Sequence, residues 1–500
     1  MLILLSISAF ALSFAFAPFG VRFLAYFAFV PLLLIINKYS YKKVFGYAFV
    51  FGSLFALFHL WWLYFLIVPV ELTTKILLIL GVTVLFAYLG LYTAVFAVIT
   101  KYLGIIFAPL IWAIFEFLRT KSEIGFPWGL IGYTQTAYIP IVQLASIFGV
   151  YGLSAWVLWI NVLLYWIIVK KNKLTYSIIL LISFILPITY GLVRIKTNPV
   201  TALKVAIVQP NVSPFAKGDY ESRSRLINQF ISLTKQAIAA KPDLIVFPET
   251  ATIVDITRDQ TLQDTIHAII DSTQTYLFTG TPLFEINQPI YYNGAVLFEP
   301  NYPGFRSIYR KIHLVPFSEK IPYADKVALF RKIETNDMGN CTPGKEYTVF
   351  NLKSVDAKTK RFGCLICFES IFPDLTREFT KRGADLLINI TNDGWFGKTP
   401  GPYQHCELAI LRSVENGVPL IRCANNGISL IADVYARTKY HTKLFTETIV
   451  LGTVTESLPP TFYRKYGDVL IYLSIIVIVI ALIVRLFKKS ELPPKYYKYR

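Results

Sequence analysis

Apolar and polar positions divide the chain into three stretches. Residues 1 to about 195 carry long apolar runs with few acidic groups, 202–457 alternate short strand-like runs with amphipathic helical patterns, and 467–487 are apolar again. A helix that crosses a bilayer takes about 20 apolar residues. The predicted spans are Leu2–Phe16, Leu24–Ile36, Phe45–Val68, Ile76–Ile99, Leu103–Leu118, Val142–Val169, Tyr176–Val193 and Val469–Phe487. The expected organisation is a transmembrane domain of about seven helices over 1–197, a polar domain over 202–457, one further transmembrane helix over 467–487 and a basic tail over 488–500.

The polar stretch predicts a large sheet. Strand-like runs fall at Lys204–Val208, Leu244–Phe247, Tyr276–Thr279, Tyr292–Phe298, Arg361–Cys367, Leu386–Asn389, Pro419–Arg422, Ile428–Val434 and Thr448–Val454, with helical patterns at Arg223–Ala240 and Asp374–Arg382 between them. This is α/β or α+β architecture, and no GxGxxG or P-loop follows a strand.

Composition and charge then fix the setting. A chain that is 55% hydrophobic and only 16% charged is too apolar for an ordinary soluble protein. Its net charge of +18 resides in turns between apolar runs and in the tail, which suits anionic lipid headgroups and argues against a nucleic-acid partner. Lys38, Lys42 and Lys43, then Lys101, then Lys170, Lys171 and Lys173 follow spans two, four and six, on the side of the tail. By the positive-inside rule that side is cytoplasmic, so the polar domain is expected outside. The opening Met1-Leu-Ile-Leu-Leu lacks a basic n-region and Phe16–Gly20 is a poor cleavage site, so the first run is expected to stay.

Two polar features stand out near the membrane. The loop Arg119–Gln135 is long for a helix connector, and Glu116 just before it should pair with Arg119 or face a hydrated cavity.

Candidate chemistry lies at strand ends. Cys367, Glu249 and Lys311 each close an apolar run, and a thiol, a carboxylate and an amine are what thiol acyl transfer requires. Glu249 would act as general base and then acid. Lys311 would favour the thiolate and stabilise an oxyanion, with the Phe368 backbone N–H as second donor. Five cysteines leave one unpaired, and Cys364-Leu-Ile-Cys367 has redox spacing, but residues three apart on a strand face opposite sides. The five histidines show no metal-ligand spacing, so no metal or cofactor is expected; a pairing of Cys367 with His313 or His405 stays open.

The motifs Phe247-Pro-Glu249, Lys311-Ile-His-Leu-Val-Pro-Phe-Ser-Glu319 and Ile366-Cys-Phe-Glu369 resemble the Glu-Lys-Cys motifs of the nitrilase (carbon–nitrogen hydrolase) superfamily. With the upstream spans, and with Ala17-Pro-Phe-Gly20, Glu116-Phe-Leu-Arg119, Gly125-Phe-Pro-Trp128, Ala206–Asn211, Tyr292-Asn293 and Asn392–Gly397, the chain is similar to the apolipoprotein N-acyltransferase family of the bacterial inner membrane. Phe368 replaces a frequent Tyr, and Ser318-Glu-Lys-Ile-Pro322 a Gly-Glu-Tyr-Val-Pro pattern.

The resemblance implies a polytopic α-helical membrane domain plus an αββα sandwich. It makes Glu249 the base, Lys311 the oxyanion-stabilising cation and Cys367 the nucleophile, with Glu319 and Glu369 as supporting acids and Phe368 beside them. It implies acyl transfer from phospholipid to the amino group of a diacylglyceryl apolipoprotein, in a periplasmic catalytic domain, among membrane lipids. Trp128, Trp395 and Phe396 would line the lipid access route, and nothing in the sequence demands more than a monomer. Two other readings are a membrane-tethered amidase and a transporter or scaffold with an inert nitrilase-like domain.

Overall fold

A computed structural model of the chain describes residues 1–67, 72–196, 200–213, 220–286, 290–324, 326, 341–353 and 359–490. The basic tail beyond Ser490 lies outside the described residues.

The first part is helical: α1 (Leu2–Phe14), α2 (Val30–Lys38), α3 (Tyr41–Leu60), α4 (Leu72–Leu103), α5 (Ala108–Leu118), α6 (Ile139–Val142), α7 (Ala145–Val169) and α8 (Lys173–Arg194). Five helical segments are long and apolar enough to cross a membrane: Tyr41–Phe65, Thr74–Leu103, Ala145–Val169, Lys173–Arg194 and Val469–Phe487. Leu2–Phe14 and Ile105–Leu118 are shorter apolar helices. Side chains such as Leu181, Leu186, Ile476 and Ile480 are exposed on these helices, as a lipid solvent permits and water would not.

The segment Leu24–Ile36 departs from the expected span. Only nine residues of it and its flank form α2, preceded by a 3-10 turn at Arg22–Tyr26. The physical reason is a polar clasp from α7. Asn161 Oδ1 accepts from the Phe29 N–H at 2.9 Å and its Nδ2 donates to the Ala25 carbonyl at 2.9 Å, which satisfies a backbone that has left the helical ladder.

The polar stretch folds as two six-stranded sheets. The first runs β12-β1-β2-β3-β4-β5, with β1 (Thr201–Gln209), β2 (Leu244–Val246), β3 (Tyr276–Phe284), β4 (Tyr291–Phe298), β5 (Ile308–Arg310) and β12 (Thr448–Thr455). The second runs β11-β10-β9-β8-β7-β6, with β6 (Val349–Lys353), β7 (Thr359–Ile366), β8 (Leu386–Thr391), β9 (Leu420–Ala424), β10 (Leu430–Ala432) and β11 (Thr438–Lys439). Strand periodicity sorts the faces. Val205, Ile207 and Val246 point between the sheets, where Phe278 meets Phe350 and Phe362, while Ala206, Val208 and Ile245 pack on α9 (Tyr220–Ile238) and α10 (Gln260–Ile270). The other face of the second sheet carries α11 (Pro373–Lys381) and α12 (Gly401–Asn416). The layers are therefore αββα, and α13 (Phe462–Tyr466) leads into the last membrane helix α14 (Val469–Ser490).

Helix α12 is also the wall against which the membrane helices pack. Gln404 Oε1 accepts from the indole N–H of Trp62 at 3.1 Å and of Trp128 at 2.9 Å, and its Nε2 donates to the His59 carbonyl at 3.2 Å. Glu407 forms a two-pronged ion pair with Arg22, and Glu415 accepts from the Val150 N–H at 2.9 Å. Replacing Glu407 with Gln should leave the Arg22 guanidinium, only 7% exposed, without its counter-charge. Loss of one partner of a buried pair costs about 3–5 kcal/mol, so thermal unfolding of the detergent-solubilised variant should start well below wild type; an unchanged midpoint would show that this seam does not bear stability.

Candidate active site

The second sheet positions the thiol by ending abruptly. β7 stops at Ile366, and Cys367 opens a 3-10 turn, Cys367–Ile371, with φ +52°. A non-glycine residue in the left-handed region costs of order 1–3 kcal/mol and persists only where its surroundings fix it. Here Glu369, wholly buried, reaches back to accept from the Ile366 N–H at 2.7 Å. Its other oxygen accepts from the Tyr309 hydroxyl at 2.7 Å and from the N–H groups of Ile312 and His313 at 2.7 and 3.1 Å. One carboxylate thus ties the thiol turn to the segment that carries Lys311.

Lys311 follows β5 and is 1% exposed. Its Nζ lies 2.8 Å from Glu319 Oε1 and 3.5 Å from Glu249 Oε1. Burial alone would lower the ammonium pKa, but Glu319 and then Glu249 hold it well above its usual value, so it stays a cation. Asn293 Nδ2 donates to both carboxylates, at 2.8 Å to Glu249 and 3.0 Å to Glu319. Glu249 Oε2 accepts from the Asn392 N–H at 2.9 Å, and Glu319 Oε2 from the Val315 N–H at 2.8 Å. Gly280 makes room for the Glu249 turn: a Cβ there would fall 2.6 Å from Thr250 N and 2.8 Å from the Glu249 Cα.

Burial first, and then Glu249, push the Cys367 thiol up, and Lys311 offsets this only in part because its charge is shared with two carboxylates. The resting group is a thiol, so proton removal by a base, and not a preformed thiolate, is what the arrangement supports.

His405 sits in the wall helix and touches the nucleophile residue from behind. Its Nε2 is 3.1 Å from the Cys367 carbonyl oxygen and 3.2 Å from Ser370 Oγ, and its Nδ1 is 2.9 Å from Asp393 Oδ1. Arg422 Nη2 donates to Asp393 Oδ2 at 2.7 Å. Burial and then Arg422 hold the His405 imidazole below its usual pKa, while Arg422 and His405 bring the buried Asp393 down to about 2. One ring nitrogen thus lies against the Cys367 main chain and Ser370, and the other faces Asp393. His313 stacks on Phe372 at 4.4 Å.

The aromatic candidates divide. Trp128 is 2% exposed, bonded to Gln404 and stacked on His405 at 5.4 Å, so it packs in the seam. Trp395 and Phe396 are half-buried: the Ile67 N–H donates to the Trp395 carbonyl at 2.9 Å, and Phe396 meets Trp62 at 5.0 Å. Phe368 is buried between Phe126, from the loop Arg119–Gln135, and Phe372. Glu116 accepts from Trp112 Nε1 and the Ile131 N–H, both at 2.8 Å, and interacts with the Arg119 charge without a direct hydrogen bond, while Arg119 Nη2 donates to the Trp128 carbonyl at 2.6 Å. All five cysteines are free thiols.

Asn293, Asp393 and His405 were the parts that strand and spacing arguments could not assign. Asn293 and Asp393 lie in motifs that carried the family resemblance, but their contacts arise only when two sheets and a helix converge.

Two outcomes are expected. Every neighbour of Glu369 is a donor, so protonating it must break one of its bonds, and burial pushes this carboxyl up to about 7 despite those donors. Because the folded pKa is raised above the unfolded one, this group's contribution to stability declines as pH rises toward about 7, while the intact turn requires the anion. The rate of acyl-adduct formation should fall as pH drops through about 7, and Glu369→Gln should be slow with no such step; a step that survives in Glu369→Gln assigns it elsewhere. For His405→Ala, a shift of the thiol by about 1 Å should lower kcat roughly 100-fold with KM nearly unchanged, and His405→Gln, which keeps a donor, should recover part of it. Equal loss in both variants would mean a general packing defect.

Residues 8–163 match the apolipoprotein N-acyltransferase N-terminal domain family, and residues 204–460 match the carbon–nitrogen hydrolase family. The apolipoprotein N-acyltransferase of Geobacter metallireducens is 34% identical over 480 residues, covering 93% of this chain and 91% of that protein. That of Rickettsia prowazekii is 36% identical over 403 residues, 77% of each. Among solved structures, a nitrilase-superfamily protein of Saccharomyces cerevisiae aligns with 51% of this chain and 91% of its own at 18% identity, with a TM-score of 0.40.

Proposed function

The chain belongs to the apolipoprotein N-acyltransferase family, and from that premise we propose that it moves a fatty acyl group from phospholipid, through a thioester on Cys367, to the α-amino group of the N-terminal diacylglyceryl-cysteine of lipoproteins. The observation that carries the reading is the buried Lys311 ammonium between Glu249 and Glu319, set beside a thiol on a strained turn. The same sandwich packs directly on helices apolar enough to span a membrane, which suits two lipid-bearing substrates.

In the first half-reaction the Cys367 sulfur bonds to the ester carbonyl carbon as Glu249 takes the thiol proton. The carbonyl π pair moves to oxygen, and the oxyanion meets Lys311 Nζ and the Phe368 N–H. Collapse breaks the carbon–oxygen ester bond; Glu249 returns its proton to the departing lysophospholipid alkoxide. In the second half-reaction the acceptor amine attacks the thioester carbonyl and gives a proton to Glu249. The carbon–sulfur bond then breaks, and Cys367 recovers its proton as the amide forms. Glu319 keeps Lys311 aimed, and Glu369 keeps the thiol turn aligned with it.

We propose that residues 202–457 lie outside the cytoplasmic membrane of a bacterium and the lysine-bearing turns and the 488–500 tail inside; the distribution of lysines along the chain supports this orientation. The chain is proposed to work as a monomer, with Trp395 and Phe396 at the lipid-facing seam.

Purified protein incubated with labelled phospholipid should acquire a hydroxylamine-sensitive acyl adduct, absent in Cys367→Ala and slowed at least 1000-fold in Glu249→Gln. Release of the label onto a diacylated lipopeptide separates acyl transfer from hydrolysis; release only to water would favour the amidase reading. A phosphatase reporter, active only outside the cytoplasm, should be active when fused after Val193; an inactive fusion would reverse the proposed orientation.

A further inference from the structure

A second cleft lies away from the thiol, where the chain twice crosses the boundary between membrane helix and sandwich. It encloses about 230 Å³ and is lined by the end of α8, the start of α7 and the segment before α14. Arg194 is the last residue of α8, and Phe462 stands seven residues before α14 begins. Both points fall where the chain passes from lipid-exposed helix to polar domain, which is the level of lipid headgroups.

The cleft is polar at one end and apolar at the other. Arg194 stacks on Tyr435 at 5.3 Å and donates to Gln143 Oε1, and Gln143 Nε2 is itself committed to the Ile139 and Tyr435 carbonyls at 2.9 and 3.0 Å. On the same wall Ser146 Oγ donates to the Gln143 carbonyl at 2.7 Å and accepts from the Tyr190 hydroxyl at 2.8 Å. Ile147, Leu458, Pro459 and the 44% exposed Phe462 form the apolar rim. The placement of Arg194 is tight, because a Cβ on Gly191 would fall 1.9 Å from the Pro140 carbonyl oxygen, so α8 lies directly against the α6 backbone.

Among the described residues no carboxylate forms an ion pair with Arg194. The nearby Asp433 is taken by Arg437, at 2.6 Å, and Arg437 stacks on the other approach to Tyr435 at 5.1 Å. An arginine at a helix end ordinarily snorkels outward to water. This one bends inward over an aromatic ring, half-buried, and leaves an excess positive charge inside a cleft at the end of the membrane-length helix α8. A guanidinium withdrawn from water without a carboxylate is suited to a phosphate, whose oxygens match its donor fork.

We propose that this cleft binds the phosphodiester of a membrane phospholipid, with the Arg194 guanidinium on the phosphate and the Ile147, Leu458 and Phe462 rim against the glycerol and first methylenes. It is a lipid site separate from the thiol centre, and it does not rest on the acyltransferase reading. Its occupant pins α7, α8 and the sandwich together at the membrane surface.

The test uses full-length protein in detergent and an ether-linked dialkyl phosphatidylglycerol, which has no acyl group to donate. Native mass spectrometry should show one more retained lipid on wild type than on Arg194→Gln, with the affinity of that site lowered about tenfold or more, while Arg194→Lys keeps most of it. Uncharged dialkylglycerol should not fill the site, and millimolar inorganic phosphate should not empty it. Equal lipid counts and affinities in wild type and Arg194→Gln overturn the proposal, as does equal binding of dialkylglycerol. Displacement by inorganic phosphate overturns it in favour of a free-anion site. If Arg194→Gln fails to fold, Phe462→Asp puts a carboxylate on the exposed rim without opening the core; it should expel the same lipid, and retention of that lipid in the folded variant rejects the site.

Discussion

A fully buried ammonium is the constraint on which the catalytic half of the molecule turns. Lys311 can be withdrawn from water only if its charge is met there, since an unpaired buried ion costs several kcal/mol even after relaxation. Glu249 arrives at the end of β2 and Glu319 from the loop after β5, and Asn293 on β4 donates to both. Three chain segments distant in sequence must therefore close on one nitrogen. The same closure leaves Glu249 with its second oxygen on the Asn392 N–H.

The thiol is placed by two clasps from opposite sides. Glu369 holds the Ile366 N–H in front, and His405 holds the Cys367 carbonyl from behind, so a backbone at φ +52° is fixed at both ends. His405 belongs to α12, whose neighbouring residues Gln404 and Glu407 grip the membrane helices. The membrane domain is in this sense part of the scaffold of the active centre: a change in how α12 seats on Trp62, Trp128 and Arg22 would be felt at the nucleophile through one residue.

Much of this could be read from the chain, and what could not has identifiable causes. The strands near Val205, Leu244, Phe362 and Leu386 were legible because buried parallel strands are continuous apolar runs bounded by turns. Glu249, Lys311 and Cys367 were legible as residues at strand ends, and the family resemblance gave them roles. The Leu24–Ile36 segment misled because hydropathy cannot show that Asn161, more than 100 positions later, catches its backbone. The burial of Trp128 was illegible for a related reason: its N–H is taken by Gln404 of a helix distant in sequence. Lys311 as a promoter of thiolate was legible from charge alone, and it does act in that direction on Cys367; burial and Glu249, which act the other way, were not legible.

The central claim is that Cys367, and none of the other four thiols, carries the acyl group. Protein quenched after incubation with phospholipid and digested for peptide mapping should show the fatty acyl mass on the peptide that contains Cys367, and a chase with diacylated lipopeptide should remove it. An acyl mass on a peptide bearing Cys341, Cys364, Cys406 or Cys423 alone, or an adduct on Cys367 that the lipopeptide leaves in place, would contradict the account.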